Sequence, residues 1–213
     1  MKKLLLSTVL ALGWFAAPVV PAHAQVPQNC GVNFTPQVGI NCANVRQNTY
    51  VAQILGLVPV TGATDVFCLN ASASKNIQIR RIKLSGIATA ATNIPASLIR
   101  RNTLDTGTAG TPFIAAMNGA NPATTASAVS YTANPTITDT TSHQTVRASY
   151  MLFGTAAVPL VPVEWDFGTA IDAYDQGADL QKGATTTQYC INLGAAAIGG
   201  GQLLSGFIEY TEN

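Results

Sequence analysis

After residue 24, apolar and polar residues alternate in short runs, and helical periodicity is hard to find. Val163-Glu164-Trp165-Asp166-Phe167 puts three apolar side chains on one face and both carboxylates on the other, the pattern of a half-buried strand. Val146, Ala148, Tyr150 and Leu152 form a second row, and Thr187, Tyr189, Ile191 and Leu193 a third. Leu204, Gly206, Ile208 and Tyr210 stand opposite Leu203, Ser205, Phe207 and Glu209. Apolarity on both faces predicts a central strand there. Between Ile77 and Leu84 the phase slips: Ile77 and Ile79 share one face, Ile82 and Leu84 the other. One inserted residue does this, so a β-bulge is expected at Arg80-Arg81.

Turn signals punctuate these runs, among them Thr61-Gly62, Asn118-Gly119, Asn134-Pro135 and Gly199-Gly200-Gly201. Counting runs between them gives eight to ten strands. With no βαβ spacing, the expectation is an all-β fold, a single β-sandwich of jelly-roll type over residues 50–213. Residues 119–142, rich in threonine and alanine, are either a strand-bearing wall or a loop. Asp172 to Lys182 is expected to be a loop or a single helical turn.

Residues 1–24 differ from the rest. Lys2 and Lys3 precede an apolar run from Leu4 to Ala17, and Ala22-His23-Ala24 is a small-x-small cleavage site. This is the layout of a signal peptide, too short an apolar run to span a bilayer. The expectation is an exported protein, periplasmic or extracellular, with no transmembrane segment once the leader is removed. Loss of Lys2 and Lys3 takes the 11 basic residues to nine against ten acidic ones. That balance argues against nucleic acid, whose binding needs clustered Lys and Arg. Charged residues make up only 10% of the chain, so little repulsion keeps copies apart. Self-association or surface attachment follows as an expectation.

All four cysteines, Cys30, Cys42, Cys68 and Cys190, lie after the leader. An even count in an exported chain indicates two disulfides, with three possible pairings. Cys30 and Cys42 are close together in a Pro/Gly/Asn-rich arm, residues 25–49, with no other means of fixing itself. Cys68 and Cys190 each lie opposite an apolar set on their strands, which places them on one outer face of neighbouring strands. Cys30–Cys42 and Cys68–Cys190 are therefore the expected pairs. With no CxxC and only His143 left after processing, zinc is not indicated.

Ala73 to Gly86 with Ala88-Thr89-Ala90, and Pro162 to Gly168, resemble a family of small all-β proteins of unassigned function found in phage, prophage and environmental bacterial genomes. The resemblance spans roughly residues 61–213. It implies a jelly-roll-like sandwich and, loosely, a virion or surface structural role. It carries no functional residue onto this chain.

Catalytic constellations are sparse. His143 follows Asp139 and Ser142 but has no GxSxG elbow to serve, so a solvated loop histidine is expected. Glu164 and Asp166 share a strand face about 7 Å apart. Glycosidases draw their carboxylates from across a cleft, so these two are expected to be solvent-facing or paired with Arg80, Arg81 or Arg101. Asp172, Asp175 and Asp179, with Tyr174 beside them, form an acidic cluster. A calcium or surface-glycan site there is the alternative to a solvated loop, although the spacing matches no EF-hand. Trp165, in phase with Val163 and Phe167, is expected in the core. No cofactor is indicated. The reading is a non-enzymatic exported structural or surface protein, with a carbohydrate- or calcium-dependent binding module as the alternative.

Overall fold

The structure, a computed structural model, describes residues 47–139, 143–155, 161–167, 178–180, 183 and 185–213. The leader, most of the N-terminal arm and the Cys30–Cys42 pair lie outside the described residues. Twelve strands form among the described residues: β1 (Asn48–Leu57), β2 (Asp65–Asn70), β3 (Ile77–Ile87), β4 (Thr92–Arg101), β5 (Ala109–Gly110), β6 (Phe113–Ala116), β7 (Ser127–Tyr131), β8 (Gln144–Gly154), β9 (Val163–Asp166), β10 (Ala178–Leu180), β11 (Gln188–Asn192) and β12 (Leu203–Glu212). The all-β class is as expected. Two strands beyond the expected upper count are explained by β5 and β10, which are too short for alternation to reveal. Ala178–Leu180 pairs with Ile77–Ile79, so that part of the 172–182 segment is strand rather than loop or helical turn.

The strands make one continuous sheet in the order β5-β7-β2-β11-β4-β8-β3-β12-β1-β6, with β9 and β10 also on β3. The expected sandwich has two separate sheets. Here the sheet instead folds over its own core at one corner, where β3 and β8 run parallel through only two residue pairs, Gly86↔Phe153 and Ile87↔Gly154. Gly86 makes the corner possible: a Cβ there would stand 2.5 Å from the Phe153 ring. One core results. Phe67, Leu69, Leu98, Met151, Phe153 and Ile191 enter it from one half, and Tyr50, Ile79, Ile82, Leu84, Ile208 and Tyr210 from the other. β5 and β6 end the strand order yet are separated by only Thr111 and Pro112, so this short stretch stitches the two ends of the sheet together.

Local expectations are resolved strand by strand. Glu209 pairs with Arg81 and Tyr210 with Ile79, which leaves Arg80 as the extra residue of a bulge. β12 lies between β1 and β3, a central strand as its two-sided apolarity predicts. Thr187, Tyr189, Ile191 and Leu193 are all buried. The β8 row needs correction. Met151 and Phe153 enter the core while Tyr150 is exposed. The register against β4 slips where Leu98 pairs with Arg147 and Ile99 with Thr145. The extra residue, Val146, breaks the row that alternation alone would extend to Leu152.

Behind the β1–β12 pair, a loop is held by a buried carboxylate. Glu212 accepts from the backbone N–H groups of Thr125 (2.9 Å) and Ala126 (3.0 Å) and from the Thr124 and Thr125 hydroxyls. The Tyr50 hydroxyl donates to the Pro122 carbonyl, 2.9 Å, and its ring stacks on Tyr210 at 5.6 Å. A charge costly to bury alone is thus fully hydrogen-bonded.

Candidate functional site

Cys190 lies directly opposite Cys68 in the β11–β2 register, with Cα atoms 4.1 Å apart, and the two form a disulfide across 122 residues. The pairing is the expected one, but its surroundings are not. The face opposite the core is itself buried here, and the cystine packs with Tyr131 and Val129. Asp65, Arg101, Asp105 and Gln188 are buried around it.

A second bulge assembles this cluster. Ile191 pairs with Phe67 and Asn192 with Asp65, so Val66 is the inserted residue. Without it Asp65, three residues before Cys68, would face the core; with it, both side chains share the covered face. On β11, Gln188, Cys190 and Asn192 fall on that face by alternation. Arg101 donates through Nε and Nη2 to the two oxygens of Asp65, at 2.8 and 3.0 Å, a bidentate pair. Asn192 Nδ2 also donates to Asp65. Arg101 Nη1 reaches the Asp139 carbonyl, 3.2 Å, and the Asp139 carboxylate accepts from the Asn102 N–H. Asp139 thus pins the 131–139 loop over the strand ends. Arg101 therefore serves Asp65, not the Glu164 and Asp166 considered as its partners from sequence.

Asp105 is the unusual member. Its Oδ2 lies 4.0 Å from the Cys68 sulfur and 3.7 Å from that of Cys190. A cystine carries no S–H, so the sulfurs donate nothing to it. Its Oδ1 makes no well-formed hydrogen bond, nor do the amide oxygen and nitrogen of Gln188, although Gln188 is close enough to Asp105 to interact with it. Burial, followed by the neighbouring Asp65 carboxylate, pushes the Asp105 acid up to about 7, against the opposing pull of Arg101 and of the Gln188 side chain. Burial, and then Asp105 and Asp65, also raise the Tyr131 hydroxyl, which donates to the Asp105 carbonyl at 3.1 Å. The donor atoms of Asp65, Cys68, Asp105 and Cys190 all lie within 4.8 Å of one another. With the sulfurs bonded to each other and Asp65 engaged by Arg101, the oxidised cluster is a structural lock. Sequence reading misses it because Asp65, Asp105 and Asp139 lie in unrelated segments, joined only through Arg101 and the cystine.

The opposite half presents an open surface. Register sets Phe113, Gln53, Phe207, Lys83 and Glu164 in one row across β6, β1, β12, β3 and β9, and Ala115, Val51, Glu209, Arg81 and Asp166 in the next. Leu55, farther along β1 on the same face, is 92% exposed, and Phe113 is 66% exposed. Glu164 pairs with Arg81 (3.9 Å) and Lys83 (3.8 Å), and Arg81 also with Glu209 at 2.9 Å. Such exposed pairs contribute about 0–1 kcal/mol each. The Arg81 guanidinium lies 5.4 Å over the Phe207 ring. Cross-strand pairing is thus the role of Glu164, while Trp165, 7% exposed, is core.

A groove of about 650 Å³ runs between β8 and β9, lined by Asn93, Arg147, Tyr150, Pro162 and Glu164 among others. Tyr150 is 75% exposed there. His143 is exposed. Asp172, Tyr174 and Asp175, the expected ligand or calcium loop, lie outside the described residues; Asp179 is placed by its backbone alone, opposite Gln78. Among the described residues, no helix is long and apolar enough to cross a membrane. Comparison of the chain with protein-family models, with curated proteins and with solved structures found no match.

Proposed function

We propose that this chain is an exported, non-enzymatic structural protein that acts by self-association or surface attachment through the outer face of β6, β1 and β12. The observation that carries the reading is the exposure of Leu55 and Phe113 beside Val51 and Phe207 on one sheet face. Large apolar side chains clustered in the open mark a place where area is buried against a partner. The adjoining ladder has rows of opposite sign, Arg81 and Lys83 between Glu209 and Glu164, so a second copy laid over this face meets complementary charge. The leader-like residues 1–24 and a buried cystine of the kind that persists in oxidising compartments support export.

Light scattering over a concentration series tests the reading. The exported, oxidised chain should form a defined oligomer or growing polymer, and Leu55→Asp with Phe113→Ser should return it to a monomer without changing its circular dichroism. A chain monomeric throughout, or an assembly indifferent to both substitutions, counts against it.

The exposed Tyr150 ring favours a second reading, a carbohydrate-binding module using the β8–β9 groove, with Asn93, Arg147 and Glu164 as polar partners. Glycan-array binding that Tyr150→Ala abolishes would decide for it.

A further inference from the structure

We propose that Cys68, Cys190 and Asp105 form a three-ligand binding site, with the fourth position left to water, for a borderline divalent cation such as Zn2+ once the disulfide is reduced. The spacing carries the argument. A tetrahedral zinc with sulfur ligands at about 2.3 Å and a carboxylate oxygen at about 2.0 Å holds its sulfurs roughly 3.8 Å apart and each sulfur roughly 3.5 Å from the oxygen. Asp105 Oδ2 already stands 3.7 and 4.0 Å from the two sulfurs. Cα atoms 4.1 Å apart on paired strands keep the freed thiols side by side, needing only side-chain rotation to open the remaining edge.

A second observation points to a ligand independently of the cysteines. Gln188, fully buried on the Cys190 face of β11 and close enough to Asp105 to interact with it, makes no well-formed hydrogen bond at either amide atom, and neither does Asp105 Oδ1. Buried polar atoms are normally paired, and a cation here would take up the Asp105 carboxylate. The nearby positive charge of Arg101 is offset by Asp65, which holds it bidentately and so supports the site from behind. Two thiolates and the Asp105 carboxylate then face the cation.

The opening step is reduction by a dithiol. Two electrons and two protons pass to the sulfurs, the S–S bond breaks, and the dithiol departs as its own disulfide. Cation binding forms two metal–sulfur bonds and releases those two protons. The cation thus replaces one cross-link between β2 and β11 with another.

Cobalt is the probe. The Cys30→Ser/Cys42→Ser chain, reduced with a water-soluble phosphine that is oxidised to its oxide, is titrated with Co2+ while absorbance and circular dichroism are followed. The expected result is one equivalent per chain, a near-ultraviolet thiolate-to-cobalt band with tetrahedral visible bands, and displacement by Zn2+. Asp105→Asn should weaken binding at least tenfold, and Cys68→Ser should remove the band. Absence of the band in a reduced chain that stays folded would overturn the proposal. A band unchanged by Asp105→Asn would do the same, as would unfolding on reduction that Zn2+ does not reverse.

Discussion

Asp105→Asn is the substitution with the sharpest expected signature, because it removes a titration while preserving shape. In the native chain the Asp105 acid is pushed up to about 7 from the ordinary 3.8, first by burial and then by Asp65. Between those values the native state keeps a proton that the unfolded chain has released. Unfolding therefore releases a proton there, and stability falls as pH rises from about 4 to about 7, then levels off. A difference of roughly three pH units corresponds to at most about 4 kcal/mol, so about 2–4 kcal/mol is expected. Asparagine has no proton to lose. At pH 4.5 the variant should match the parent to within about 1 kcal/mol, since one neutral group replaces another. At pH 8 it should be more stable by about 2–4 kcal/mol. Urea unfolding followed by the fluorescence of buried Trp165, at half-unit steps between pH 4 and 8, measures the difference directly. A gap between the two proteins that does not change with pH would refute the assignment of a buried, proton-holding carboxyl at position 105.

The other perturbations act on packing and connectivity. Reduction of Cys68–Cys190 opens a loop of 122 residues, so the urea midpoint should fall by the equivalent of about 4–5 kcal/mol in the chain-entropy picture; unfolding identical with and without reductant would contradict it. Trp165→Ala should cost about 3–5 kcal/mol, because the ring is buried opposite Ile82, and denaturation followed by circular dichroism would expose a smaller value. Gly86→Ala places a methyl 2.5 Å from the Phe153 ring at the β3–β8 corner and should lower stability by about 1–3 kcal/mol. A melting temperature equal to the parent's would mean that the corner has slack.

What the sequence conveys is bounded by the range over which residues cooperate. The bulge at Arg80 is visible because apolar residues on both sides record the change of phase. The bulge at Val66 is not, since Val66 and Phe67 are both apolar and Asp65 stands at the strand end, where alternation has no further residue to test. Tyr150 was expected in an apolar row for a related reason: small and polar neighbours from Gln144 to Ser149 leave the slip at Val146 unmarked. Cys68 and Cys190 declare themselves through chemistry and facing, whereas Asp105 acquires its role only from loops brought over the cystine. The two-residue parallel contact that makes one sheet of the whole has no local signal, because its sole requirement is a missing side chain at Gly86.

The central position of β12 governs when this protein can fold. β1 and β3 are made early, but the strand that joins them is residues 203–212, and the Glu212 clasp on Thr124–Ala126 closes later still. A chain emerging from the ribosome has its first strand waiting for its twelfth, so synthesis alone cannot complete the sheet progressively. Such long-range closure makes folding slow and leaves the sheet incomplete until nearly all of the chain has been delivered. Under the export proposed above, delay of this kind would be an asset, because a chain whose sheet closes last would still be unfolded while it crosses a membrane.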